Sequence, residues 1–480
     1  MAWPRLRKGY QWVADNLRWR GLWRLYAASL LYQVAQNASK PFALAAVMSA
    51  VRCDAPREPG RYTGSVHCGD RSVVLQEAQR ITLHAQAAGN VAAAAMTVVN
   101  AVAVDCVHRK RMLFYVYLVP GISYISMLCF LSGVLGPQSM VFYYASCMVE
   151  GLSPKQSKIV PTVWLDVTEG DDERRSQMVF LRRLVGGLSF ALSKPLAIAV
   201  LQGDLLDFRW VYAGLVCIML GAASFLVDLE VPKLVGKGSV STQAVRKMLR
   251  GIVELCRDAS VVQLLLVEGL REALTTCENF QLQALVLSAY EWRQGALMMI
   301  GLVTGGLCAP LFGFILKWSR THGERRVFAL VGLATSVGSL ACKLLLPFSV
   351  VFVVLLQLFV LLRARALETI YEPARAKMPQ YRPEVRGRSS ALLSITTSLM
   401  TAAIRSALSR LFDASAAGYV GRMRPFLLIF SLESLERLAF LLCVWPALSA
   451  IFDSMTQARR ARKQETGGEE AASKQLAKDG

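Results

Sequence analysis

The sequence predicts an all-α membrane protein with twelve transmembrane helices in two six-helix pseudo-repeats, both termini cytoplasmic. Three observations lead there. Of 480 residues, 54% are hydrophobic and only 18% charged, against about 25% in a typical soluble domain, and the mean hydropathy is +0.39. The apolar residues gather in runs near the length, about 20 residues, that a bilayer-crossing helix needs. These runs are too long, and alternate too little, for the strands of a membrane barrel. The third is the placing of charge. The net +20 sits in connections between apolar runs, as on the positive side of a membrane. Nucleic acid would need a continuous basic face and is not an expected partner.

Taken in order, residues 1–22 carry Arg5, Arg7, Lys8, Arg18 and Arg20 between tryptophans at helical spacing, which reads as an interfacial segment entering the first span. Runs at about 23–49, 76–104, 112–134, 139–166, 177–202 and 209–229 form an N-terminal bundle over 23–229. Residues 230–260 form a central cytoplasmic loop with Lys233, Lys237, Arg246, Lys247 and Arg250. Runs at about 261–289, 295–317, 326–346, 349–371, 389–412 and 425–452 form a C-terminal bundle over 261–452. Residues 453–480 are polar and expected to be disordered. The even-numbered connections hold the bases, including Arg109 to Arg111 and Arg174 with Arg175. The odd ones are short and base-poor, apart from the first, "RCDAPREPGRYTGSVHCGD". There Cys53 and Cys68 are either a disulfide, in an oxidising compartment, or two free thiols. No cysteine–histidine set has zinc spacing, and there is no Walker loop and no nucleophile–base–acid set. Neither a cofactor nor a metal nor an enzymatic activity is expected.

The connection after the second run reads "AVAVDCVHRKR". It resembles the signature of the major facilitator superfamily between its second and third helices, an acid followed four residues later by a basic triplet. Asp105, Arg109, Lys110 and Arg111 match, while Ala101 and His108 replace the signature's glycines. "WLDVTEGDDERRSQ" resembles the family's next cytoplasmic motif through Asp166, Thr168 and Arg174 or Arg175. "FGFILKWSRTHGERRVF" and "YEPARAKMPQYRPEVRGRSS" echo these two segments in the second half. The resemblance implies a secondary transporter with a conformational latch at Asp105, Arg109, Lys110, Arg111, Asp166 and Arg174; the alternative is charge that only sets topology. Two departures are visible. Cys147 stands where the family often has an arginine in the fourth helix, and Lys194–Pro195 replaces a Gly–Pro pair in the fifth.

Ionisable groups at membrane depth cost about 2.5–3.5 kcal/mol each, so they face a cavity or a partner. In the seventh run Glu268, Arg271, Glu272, Thr275 and Asn279 recur at three- and four-residue steps, within roughly a 100° stripe. They line a path or glue helices, and Glu268 could pair with Arg271 or Glu272. The first run offers Gln33, Asn37 and Lys40, the fourth Glu150, Lys155 and Lys158, and the tenth Arg365, Glu368 and Glu372. In this family the first, fourth, seventh and tenth helices line the central cavity. Arg405, and Glu433 with Arg437, read as structural pairs. The basic bias of Lys40, Lys155, Lys158 and Lys194 favours an organic anion or zwitterion as the small-molecule substrate. Glu150, Glu268 and Glu272 are the candidate carriers of a coupling proton. A drug-type efflux antiporter, and a receptor or scaffold that moves nothing, are the other readings.

Overall fold

The computed structural model describes residues 22–51, 71–134, 139–153, 160, 172–202, 207–227, 229, 240–289, 299–301, 303–304, 311, 314–315, 317–319, 321–346, 348–363, 367, 370–371, 378, 386–412 and 418–457. Among them every regular element is a helix. The first six are α1 Trp23–Val51, α2 Arg71–Cys106, α3 Arg109–Leu131, α4 Met140–Leu152, α5 Asp172–Gln202 and α6 Phe208–Ser224. Then come α7 Thr242–Leu255, α8 Ala259–Ala289, α9 Glu324–Leu345, α10 Val350–Leu362, α11 Arg386–Leu411 and α12 Gly418–Ala439. A π-helical turn, Phe440–Val444, follows α12. Each expected apolar run coincides with a helix except the eighth, most of which lies outside the described residues.

Local chemistry sets several starts. His108 caps α3, its Nδ1 accepting from the Lys110 amide at 3.2 Å. Asp207 caps α6, accepting from the Arg209 amide at 2.9 Å and from its guanidinium at 2.5 Å. Ser241 caps α7 and Ser349 caps α10. Each satisfies an amide that the first turn leaves without a helical partner. Asp258 does the same before α8, and the Ser260 hydroxyl and the Val261 amide hold its carboxyl below the usual range.

Three described helices are long and apolar enough to cross a membrane: Lys110–Leu131, Glu324–Leu345 and Gly387–Leu411. Three of the other expected spans fall short for visible reasons. The segment α8 carries Glu268, Arg271, Glu272 and Glu278, and α4 and α10 break off where the described residues end. Segment 230–260, expected as a loop, contains the amphipathic helix α7. Its Val245, Met248 and Ile252 pack against Val98 of α2 and Ala391 of α11, while Arg246, Lys247 and Arg250 are exposed.

Helices α1 to α6 share one buried core, with Phe42, Tyr117, Phe208 and Tyr212 at its centre. Among the described residues the later helices bury others, around Val327, Tyr371 and Phe452, around Leu346, Val353 and Phe426, and around Val261, Leu265 and Leu393. The most extensive helix pairing among the described residues is α2 with α11. The two run antiparallel: Leu83 packs near Ile404 and Leu408, and Val98 near Ala391. This seam joins the first six helices to the last ones.

Backbones come closest between α2 and α4. A Cβ on Gly89 would meet the Cys147 carbonyl oxygen at 2.5 Å, and one on Gly151 would collide with the Gly89 carbonyl. Small residues allow such approach between membrane helices. Gly151→Leu is therefore expected to separate α4 from α2 and abolish the monodisperse peak of purified protein. Gly187→Leu, where a Cβ meets nothing within 4 Å, should leave that peak unchanged.

Candidate functional site

The expected site residues divide by where the structure puts them. Cys53, Cys68, Lys155, Lys158, Asp166, Arg365, Glu368 and Glu372 lie outside the described residues. Asp105, Arg109, Arg174 and Asn279 fall within helices, but their side chains are outside the described set. Of the expected latch, Lys110 donates from Nζ to the Val227 carbonyl at 2.5 Å, and Arg111 is exposed. A cation beside the carbonyls that end α6 is favourably placed. That bond stays within the first six helices.

In the first half, polar groups line the faces of α1, α3 and α5. Gln33 accepts from Ser189 Oγ at 3.2 Å, and Gln36 donates to Tyr124 OH at 3.1 Å, which donates to Ser39 at 3.2 Å. Asn37 is half-buried on the same helix and Lys40 is exposed. Lys40 lies close enough to Lys194 for their charges to repel, and Lys194 sits over the Phe190 ring at 5.2 Å. Glu150, exposed near the end of α4, acts electrostatically on Tyr32, Tyr124, Tyr212 and Arg405.

The polar residues of α8 spread over more than one face. Glu268 is buried and accepts from Tyr371 OH at 2.6 Å, while Arg271 lies over that ring at 5.3 Å. Glu272 is exposed and accepts from Thr397 of α11 at 3.3 Å. Thr275 is exposed and bonds back to the Arg271 carbonyl at 2.9 Å. Leu274, next to Thr275 in sequence, is buried.

Beyond the stripe stands a cluster whose membership sequence reasoning largely missed. Lys343 of α9, fully buried, faces Glu278 Oε1 of α8 at 3.0 Å and Glu433 of α12. Arg363, at the end of α10, reaches Glu433 at 3.1 Å and Glu436 at 3.4 Å. Arg437 pairs with Glu433 one turn away and donates to Ser339 at 3.0 Å. One carboxylate, Glu433, thus receives three cations. Arg271, Thr275, Glu278, Arg363, Glu433 and Glu436 line a small recess beside it. The pairing of Glu433 with Arg437 was legible; Lys343, Glu278, Arg363 and Glu436 were not picked out.

Where α2, α4, α8 and α11 converge there is a second polar set. Gln79, Thr82, Gln86 and Asn90 recur at three- and four-residue steps on one face of α2. Across from them Arg405 Nη1 donates to the Gln86 carbonyl at 3.4 Å, and Ser409 Oγ lies 3.3 Å from His84 Nε2. Arg405, expected as a structural pair, bridges helices of the two halves. No grouping of three or more metal-ligating side chains occurs among the described residues.

No protein-family model matches the sequence. No curated protein matches it either. The fold does match solved structures. A peptide transporter of the POT family bound to alafosfalin shares 12% identity and a TM-score of 0.62, covering 90% of this chain and 96% of that one. The nucleoside transporter NupG shares 12% identity and a TM-score of 0.59, covering 89% of this chain and 99% of that one. The human organic anion transporter MFSD10 shares 16% identity and a TM-score of 0.56, covering 88% and 98%. The fold of this chain is the one that these transporters share.

Proposed function

We propose that this chain is a secondary transporter that moves a small organic anion or zwitterion by alternating access. In this reading twelve spans form two bundles, 23–229 and 261–452, joined by a cytoplasmic segment, with both termini cytoplasmic. The bundles rock about a site near the bilayer midplane. One observation carries the proposal: polar and charged groups of both halves meet at the buried seam of this fold, Arg405 of α11 donating to the Gln86 carbonyl of α2 at 3.4 Å. Charges kept at membrane depth mark solute or proton paths more often than lipid contact. Glu150, Glu268 and Glu272 are the groups available to a coupling proton. Asp105, Asp166 and the bases near them are assigned to the latch. The structural matches widen the solute field to peptide-, nucleoside- and anion-like molecules without choosing among them.

Two measurements test this. Vesicles containing purified protein are expected to take up at least one radiolabelled solute from a panel of amino acids, dipeptides, nucleosides and carboxylates faster than empty vesicles do, and saturably. Uptake no better than in empty vesicles would leave the receptor or scaffold reading standing instead. With Cys277 replaced first, Thr275→Cys should react with a water-soluble thiol reagent while Leu274→Cys stays inert, and the transported solute should slow the reaction. Equal reactivity at both positions would remove α8 from the path.

A further inference from the structure

Buried cations in this chain mostly sit on carboxylates. Lys343, Arg363 and Arg437 each have one within ion-pairing distance. Arg405 is different. Its one hydrogen bond to oxygen among the described residues is the long contact to the Gln86 carbonyl at 3.4 Å, and its Nε, buried, has no hydrogen-bond partner. The Cys277 thiol of α8 lies beside it, and Glu150 attracts it from beyond ion-pairing distance. A guanidinium offers five N–H donors in a planar fork, and the Nε edge of this one is unused.

The groups around it are in a similar condition. Gln86 Oε1, Asn90 Nδ2 and both amide atoms of Gln281 are buried with no hydrogen-bond partner among the described residues. Gln86 and Asn90 lie one turn apart on α2, and Gln281 lies one turn past Cys277 on α8. Leu83, Leu274, Ile404 and Leu408 wrap the place in apolar side chains. An unpaired buried polar atom costs about 1–3 kcal/mol. Several gathered round an underused cation therefore form a costly arrangement unless something completes it.

We infer that Arg405 is the anion-binding residue of the transport site and takes the carboxylate of the solute, with the side-chain amides of Asn90 and Gln281 as further donors. The inference rests on the transporter reading and names the substrate class of its site. The guanidinium fork matches two carboxylate oxygens. A dianionic phosphate is a poorer occupant, because there is one base here and the Glu150 carboxylate stands nearby. The site draws Asn90 from the first half and Arg405 from the second, so the bound group ties the two together. Sequence alone hides this, since the α2 amides are uncharged and Arg405 resembles any helix-pairing arginine.

The test is thermal stabilisation of the purified full-length protein by dialanine, benzoate and nicotinate, each beside its carboxamide. A ligand that binds the native state raises the melting temperature with concentration. At least one acid should stabilise the wild type while its amide does not. Arg405→Gln should weaken that acid about 10- to 100-fold, as for loss of a charged hydrogen bond, and Asn90→Leu should weaken it less. Amides acting as well as acids, no acid acting at all, or undiminished binding by Arg405→Gln would each overturn the assignment. If Arg405→Gln does not fold, the wild-type acid–amide contrast and Asn90→Leu decide. Failure of the two proposals is distinguishable. Acid binding through Arg405 without vesicle uptake overturns only the transporter reading. Uptake that Arg405→Gln leaves unchanged overturns only this one.

Discussion

Glu433→Gln is expected to cost the protein most of its folded yield. The carboxylate accepts from Arg363 at 3.1 Å and from Lys343 and Arg437, all in a dry part of the second half. Glutamine keeps the volume and removes the charge. Three cations would then share Glu278 and Glu436, and Arg437 would keep only its bond to Ser339. Breaking a buried pair in this way costs roughly 3–5 kcal/mol, a large share of the about 5–15 kcal/mol that holds a domain folded. The measurement is the monodisperse yield and melting temperature beside Arg325→Ala. That second change breaks an exposed ion pair to Asp453 at 2.6 Å, of a kind worth at most about 1 kcal/mol. Equal melting temperatures for the two variants would mean that the cluster carries no net stability.

Tying α2 to α11 is expected to stop transport while leaving the protein folded. His84 and Ser409 face each other at 3.3 Å across the seam. In a background without Cys147 and Cys277, His84→Cys with Ser409→Cys should cross-link under a short bifunctional thiol reagent. A reducible cross-link should remove most vesicle uptake, and a reducing agent should restore it. Either single variant treated alike should keep its uptake. Full uptake by cross-linked protein would show that this end of the seam stays shut throughout the cycle.

The helices were legible because burying backbone in hydrocarbon demands long apolar runs, and α1, α2, α3 and α11 begin or end within a few residues of the runs that announced them. The helix α7 was readable too, from Ser241 as a cap and Val245, Met248 and Ile252 on one face. Its bases drew the reading toward a loop. The seventh-span stripe was seen, but periodicity fixes only shared faces. It could not say that Glu268 would meet Tyr371 while Glu272 met Thr397. Lys343 was the harder case. A lone lysine near the end of an apolar run can snorkel to water, and only the packing of α9 against α8 and α12 buries it on Glu278 and Glu433. Gln79, Thr82, Gln86 and Asn90 had the spacing of a stripe from the start. Having no charge, they carried little weight beside the ionisable residues.

The antiparallel seam has a mechanical consequence. With His84 opposite Ser409 near one end and Val98 near Ala391 toward the other, its middle falls around Val91 and Met400. Alanines run from Ala92 to Ala95 there, and Ala402 and Ala403 follow Thr401. Under alternating access such a smooth stretch would serve as a fulcrum. If the two halves rolled over it, apolar area released at one end would be regained at the other, so the hydrophobic terms would nearly cancel. Two tilts of similar free energy can be exchanged by a modest differential affinity, and a solute worth only about 1–3 kcal/mol between them is enough to set the balance.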